Sequence, residues 1–97
     1  MYFVSQNGRK VLPDEQLVAG RTNRDAETGE WKTGWDVDTG DDFKFVPMAT
    51  YHTKEDAELV DALRKWAEYT AKLSTFHYPS ADEAAELRER ITELLAK

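Results

Sequence analysis

The spacing of apolar residues changes at Thr53, and this change divides the chain into two parts of different structure. Up to residue 52, apolar and polar residues alternate with a period of two, and glycine-containing turns interrupt them, as in β-hairpins. After Thr53, apolar residues recur every three or four positions, as on one side of an α-helix. The pattern predicts one α+β domain over residues 1–97, with a β-hairpin region at 1–52 and a helical hairpin at 53–97.

Turn signals predict an antiparallel β-sheet of four to five strands over residues 2–51. Asn7-Gly8 favours a tight hairpin turn that pairs Val4 with Val11. Asp and Gly mark two further turns, at 25–29 and 38–41. The predicted hairpins join 2–6 with 9–12, 17–23 with 30–37, and 30–37 with 43–50. Residues 13–16 fit either one helical turn or a plain loop.

Four aromatic residues are predicted to form the inner face of this sheet. Trp31 and Trp35 share one face of their strand, and Phe43 and Phe45 repeat the alternation in the next. Because such a face must be covered and the helices are the available cover, we expect a closed core without room for a substrate.

Two capping signals predict antiparallel helices at about 54–74 and 81–96. Thr53 with Asp56 has capping-box spacing, and Ser80 with Glu83 is a regular capping box. The apolar positions predicted to be buried are Leu59, Val60, Leu63, Trp66, Ala67, Thr70 and Leu73 in the first helix, and Ala84, Leu87, Ile91, Leu94 and Leu95 in the second. Opposite-charge pairs such as Arg64–Glu68 are interpreted as part of the solvated face.

The composition argues against several classes of partner. The net charge is −6 and evenly spread, because residues 1–50 hold 6 basic and 9 acidic side chains and residues 51–97 hold 7 and 10. Direct binding of nucleic acid needs clustered Lys and Arg, which are missing. There is no cysteine, no apolar run of about 20 residues and no signal-peptide pattern. We therefore expect a cytoplasmic protein that does not contact membranes.

The residues that could carry chemistry do not form a catalytic or metal-binding motif. His52 and His77 are the two imidazoles, and neither has a nucleophile or metal-ligand spacing beside it. The carboxylates of residues 36–42 resemble the start of a calcium loop, but the twelfth position is Pro47 instead of Glu, and a hairpin turn uses the same residue types. We expect no enzymatic activity, no cofactor and no metal.

Four carboxylates on the second predicted helix form what we call the acidic strip: Asp82, Glu86, Glu89 and Glu93. They lie within a sector of about 60°, opposite the apolar side. Like charges four residues apart oppose helix formation by a few tenths of a kcal/mol. The strip is interpreted either as a solvated face or as a docking site for a basic protein surface.

The connector beside the strip carries three ring-bearing residues, Phe76, His77 and Tyr78. Rings in a short connector commonly cover the ends of the helices. Any ring that stays exposed would anchor a partner, because aromatic residues dominate binding hot spots. The three residues are therefore included in the predicted partner-binding surface.

Two segments resemble small proteins encoded by bacteriophages and prophages of high-GC bacteria. They are residues 25–35, D-A-E-T-G-E-W-K-T-G-W, and residues 45–65, a strand and Thr53 followed by E-D-A-E-L-V-D-A-L-R-K. Together they cover about a third of the chain. The resemblance implies a class, minor virion components or host-takeover factors, and assigns no functional residue.

We therefore expect a non-catalytic protein-interaction protein, a phage-encoded accessory factor that binds a host or virion protein. One alternative is a nucleic-acid mimic that inhibits a DNA- or RNA-binding defence protein. That function needs rows of carboxylates that continue through Asp36, Asp38, Asp41 and Asp42. The other alternative is a minor virion structural protein. The partner and the oligomeric state stay open.

Overall fold

The computed structural model describes residues 1–70 and 74–96, and it confirms the α+β class. In chain order, its elements are β1 (Tyr2–Val4), β2 (Val11–Pro13), β3 (Leu17–Arg24), β4 (Trp31–Asp38), β5 (Phe43–Tyr51), α1 (Lys54–Thr70), β6 (Thr75–His77) and α2 (Ala81–Leu95). Asp14–Gln16 form a 3₁₀ turn before β3. Of the two structures predicted for residues 13–16, the helical turn is therefore correct and the plain loop is wrong.

The strands are divided between two three-stranded sheets. The second sheet, in the order β3-β4-β5, is antiparallel throughout. The first has the order β2-β1-β6, and β6 runs parallel to β1. The plain connector predicted between the helices is therefore partly a strand, which places Phe76 beside Phe3.

The turns between strands form at the positions that the Asn-Gly and Asp/Gly signals predicted. Val4 lies opposite Val11 in the first hairpin, and Gly40 in the last has a φ of 97°. The Asp38 side chain accepts a hydrogen bond from the Gly40 N–H at 2.8 Å. This carboxylate, one of those that resemble a calcium loop, thus forms an Asx turn between β4 and β5.

A β-bulge in β5 changes which side chains face the core. Thr33 lies opposite Ala49 and Gly34 lies opposite Pro47, so Met48 is an extra residue in β5. An extra residue reverses the alternation of side chains on the far side of the bulge.

The bulge makes the predicted four-aromatic inner face wrong for both phenylalanines. Phe45 and Phe43 lie opposite Asp36 and Asp38, on the sheet face away from Trp35. Phe43 is exposed, and Phe45 stacks under the guanidinium of Arg21.

Trp35 occupies the centre of the core between the sheets and α1. Its ring centroid is 4.9 Å from that of Phe3, and the Arg64 guanidinium lies 4.5 Å from it on the α1 side. The tryptophan face is therefore covered, as predicted, and its cover consists of α1 together with Phe3 of the first sheet. The buried apolar residues are Phe3, Trp35, Met48, Ala49, Tyr51, Ala57, Val60, Ala67, Phe76, Tyr78 and Ala84.

Both helices begin at the predicted caps. Ser80 and Glu83 exchange side-chain and backbone hydrogen bonds at 3.1 and 3.2 Å, which completes a capping box. Thr53 accepts the Asp56 N–H at 3.1 Å, but the Asp56 carboxylate instead accepts Arg88 Nε at 2.6 Å and so links α1 to α2. Residues 71–73, which include the predicted apolar position Leu73 and the approach to the predicted helix end near residue 74, lie outside the described part.

Arg64 lies on the buried side of α1, so its interpretation as a solvated residue is wrong. It is 4% exposed, and it pairs with Asp61 at 2.7 Å and Glu68 at 2.5 Å. Its guanidinium also packs against Gly20, where a Cβ would collide with it. A glycine in β3 thus lets α1 approach the sheet closely.

We expect Asp61 to contribute to a loss of stability in acid. Burial raises the pKa of this carboxyl, but hydrogen bonds and positive charges of Arg64 and Lys65 outweigh burial, and the net pKa lies below its usual value. Such a carboxyl stabilises the fold above its unfolded pKa of about 3.9, and this contribution is lost as pH falls through the lower folded pKa. The difference in free energy of unfolding between the native chain and D61N, measured in urea, should therefore narrow from pH 7 to pH 3. A difference that is constant over this range would contradict the expectation.

Candidate protein-interaction surface

α2 lies at the surface of the molecule and is covered along one edge only. Ala84 is its one fully buried residue. The helix runs antiparallel to α1, with Leu87 beside Leu63 and Ile91 beside Leu59. The apolar side of α2 is therefore covered at Ala84, partly covered at Leu87, and increasingly exposed towards Leu94 and Leu95.

The predicted burial of the end of α2 is wrong. Ile91 is exposed, and Leu94 and Leu95 are 66% and 82% exposed. Because α1 begins at Lys54 and α2 runs antiparallel to it, the last turn of α2 reaches the end of its neighbour. The periodicity identified the apolar side of α2 correctly, but α1 is too short at this end to cover the last turn of α2.

Trp66 on α1 was also predicted to be buried, but it lies at the surface, with 59% of the residue exposed to solvent. The side of α1 that faces the sheet consists of smaller or charged residues, among them Val60, Arg64 and Ala67. Trp66 lies at the margin of this side, towards α2. The width of the predicted apolar arc, about half the helix circumference, was the sequence signal for a second contact surface on this helix.

We define the apolar surface as the large apolar side chains that line the junction of the two helices and continue along the last turn of α2: Leu59, Leu63, Trp66, Leu87, Ile91, Leu94 and Leu95. Leu59 with Leu63, and Leu87 with Ile91, are spaced four residues apart and so lie on one side of each helix. Two depressions follow this junction. One of about 220 Å³ lies between Leu63, Trp66 and Leu87, and one of about 510 Å³ between Leu59 and Ile91.

Of the three rings in the connector, the structure places only His77 at the surface. Phe76 and Tyr78 are buried, because β6 alternates and both point inwards. Their rings meet edge to face at 5.1 Å, and burial raises the pKa of Tyr78. Phe76 and Tyr78 are therefore core residues and do not offer exposed anchors, whereas His77 borders the depression at Trp66.

The acidic strip is exposed along its whole length, as its helical angle predicted. Asp82, Glu86, Glu89 and Glu93 all lie at the surface. Arg90 lies beside the last three, but no ion pair joins a basic side chain to the strip within the described residues. The strip therefore presents its negative charge to solvent, on the side of α2 opposite its apolar residues.

The carboxylates of the β4–β5 hairpin do not continue the strip. Asp36 and Asp38 alternate with Trp35 and so lie on the sheet face away from α1. Arg21 pairs with Asp36 at 3.2 Å. Asp42 accepts the N–H of Phe43 at 2.8 Å, and so takes part in the turn. A continuous row of phosphate-like charges is not formed between the two regions.

The two histidines lie at the surface. His52 Nδ1 is 3.7 Å from a carboxylate oxygen of Glu30, and both side chains are exposed to solvent. Among residues 1–70 and 74–96, no three or more His, Asp or Glu side chains come together as they would around a metal ion. In the same part of the chain, neither helix has the length and apolar character needed to cross a bilayer.

Comparison with protein-family models, with curated proteins and with solved structures found no match to this chain.

Proposed function

We propose that this chain is a non-catalytic protein that binds a protein partner through the surface of its helical pair. The exposure of Trp66, Leu94 and Leu95 supports this proposal. Single exposed apolar residues are ordinary, but apolar residues grouped around depressions mark interaction sites. Tryptophan is in addition the residue type most enriched among binding hot spots.

The acidic strip adds a charged side to α2, opposite the centre of its apolar side. Glu86 borders a depression together with Leu87, so a partner that extends from the apolar surface around α2 reaches the strip at this residue. A partner with a basic surface would be steered towards the site and held in register by these charges. The resemblance of residues 25–35 and 45–65 to small phage proteins is the basis for proposing an accessory factor with a bacterial or virion protein as its partner.

Reversal of charge on the strip tests this function. The variant E86K/E89K/E93K should lose at least about tenfold in affinity for a partner captured from a bacterial lysate and identified by mass spectrometry. Its melting temperature should change little, because the replaced side chains are exposed. The repulsion between Asp82 and Glu86 becomes an attraction, and the repulsion between Glu89 and Glu93 is replaced by one between two lysines. Reversal of Glu15, Glu27 and Asp41, which are exposed on turns away from the helices, is the matched control.

If the native chain and the strip variant capture the same amount of partner, the acidic strip is a solvated face and not a docking site. Light scattering on the purified protein separates the structural alternative. A mass of about 11 kDa agrees with an accessory factor, whereas a ring or larger assembly would favour a virion component.

A further inference from the structure

We infer that the apolar surface receives one basic amphipathic helix of the partner protein. This inference rests on the proposed function and names the kind of segment that is bound. The two depressions lie one after the other along the junction of α1 and α2, with Leu63 and Leu87 at one and Leu59 and Ile91 at the other. A third helix laid along this junction would place apolar side chains in both.

The geometry favours a helix over an extended segment. An extended peptide gains most of its affinity by pairing its backbone with a strand edge. The edge strand that borders the smaller depression, β6, has three residues and offers little backbone for such pairing. A helix instead inserts side chains at spacings of three, four and seven residues into a groove. The stripe from Leu87 to Leu95 spans about 12 Å along α2, which matches two turns of a bound helix.

The charges around the apolar surface favour a basic partner. Glu55 and Glu58 border the larger depression, where Lys54 pairs with Glu58 at 3.6 Å and Arg88 with Asp56 at 2.6 Å. Glu83 and Glu86 border a further one of about 180 Å³ beside Leu87, together with Arg90. Carboxylates outnumber basic side chains in this set, so the border has a net negative charge.

The same charges disfavour a second copy of this chain as the occupant. A two-fold dimer through this surface would bring the acidic borders of both copies together. Juxtaposed like charges cost several kcal/mol at an interface. Lys or Arg on the flanks of a helix from another protein would meet these carboxylates instead.

A designed peptide tests the inference directly. The probe is a fluorescently labelled peptide of about 18 residues built from leucine and lysine, with leucine at every third or fourth position. A second peptide of the same composition has its leucines scattered around the helix. Fluorescence anisotropy at about 50 and 150 mM salt should show binding of the amphipathic peptide, at least about tenfold weaker binding of the scattered one, and weaker binding at high salt.

Matched variants locate the site. W66S should weaken binding of the amphipathic peptide by about tenfold. Y69S removes an aromatic residue of the same helix that is 89% exposed, and should leave the affinity unchanged. E55Q/E58Q should weaken binding several-fold, whereas E15Q/E27Q removes the same charge from distant turns and should not.

Three results would overturn the inference. The first is equal affinity of the native chain for both peptides, and the second is unchanged affinity of W66S for the amphipathic peptide. The third is a dimer of the native chain in sedimentation that the W66S substitution dissociates. That result would identify a second copy of this chain as the occupant. If neither peptide binds while the strip variant still loses its lysate partner, the bound segment is of another kind and the proposed function stands.

Discussion

Replacement of Gly34 by alanine is expected to lower the free energy of unfolding by about 3 kcal/mol or more. A Cβ at this position would collide with the carbonyl oxygen of Val46, and would come within 2.9 Å of the Pro47 Cα and 3.0 Å of the Met48 N. All three are backbone atoms of the bulged strand, so no side-chain rotation relieves the clash. Urea denaturation at pH 7 would measure the loss.

Gly40 provides the control for this substitution. It lies in the β4–β5 turn with a φ of 97°, and no atom would come within 4 Å of an added Cβ. G40A should therefore cost only about 1–2 kcal/mol, the cost of the backbone conformation. Equal losses in G34A and G40A would show that the backbone of β5 moves away from position 34 easily.

Replacement of Arg64 by methionine is expected to destabilise the protein by about 2–4 kcal/mol. Methionine fills similar space, but it leaves the half-buried Asp61 with Lys65 as its remaining cation and removes the stacking on Trp35. Removal of one partner of a buried ion pair is costly because the other charge stays desolvated. The measurement is again the free energy of unfolding in urea at pH 7.

Lys65 allows a matched comparison, because it pairs with the same Asp61 at 3.2 Å but is exposed. K65M should cost less than about 1 kcal/mol, as is usual for exposed ion pairs. In the double variant R64M/D61N, the loss of free energy of unfolding should be smaller than the sum of the losses in the two single variants. The reason is that D61N removes the buried negative charge that R64M leaves without its partner. Similar losses in R64M and K65M would show that burial of Arg64 does not matter.

The features predicted correctly are those that depend on neighbours in the sequence. The Ser80–Glu83 capping box and the Asn7-Gly8 hairpin are each specified within a few residues. The exposure of the acidic strip also follows from one helix alone, because residues on the side opposite an apolar face point to solvent.

The features predicted wrongly depend on distant parts of the chain. β6 has three residues, too few to show a period, and it is a strand only because β1 lies beside it. The bulge at Met48 is defined by the register with β4. Arg64 has the same helical spacing to Glu68 as a surface pair, and its burial requires the gap left by Gly20.

The candidate surface shows the same limit. The apolar side of α2 was visible in its periodicity, but whether that side is buried depends on the length of α1 beside it. Two short helices carry more apolar surface than they can cover for each other. The excess at Trp66, Leu94 and Leu95 became visible only when the helices were placed together.

The parallel pairing of β1 with β6 has a consequence for synthesis of the protein on the ribosome. Tyr2 pairs with Thr75, so β1 leaves the exit tunnel well before β6 and lacks one of its two neighbours until β6 has been made. Such distant pairings close late, because the entropy of a long loop must be lost before the contact is gained. The nascent β1–β2 hairpin therefore carries an open edge while β3, β4, β5 and α1 are synthesised, and the first sheet is completed only when β6 emerges.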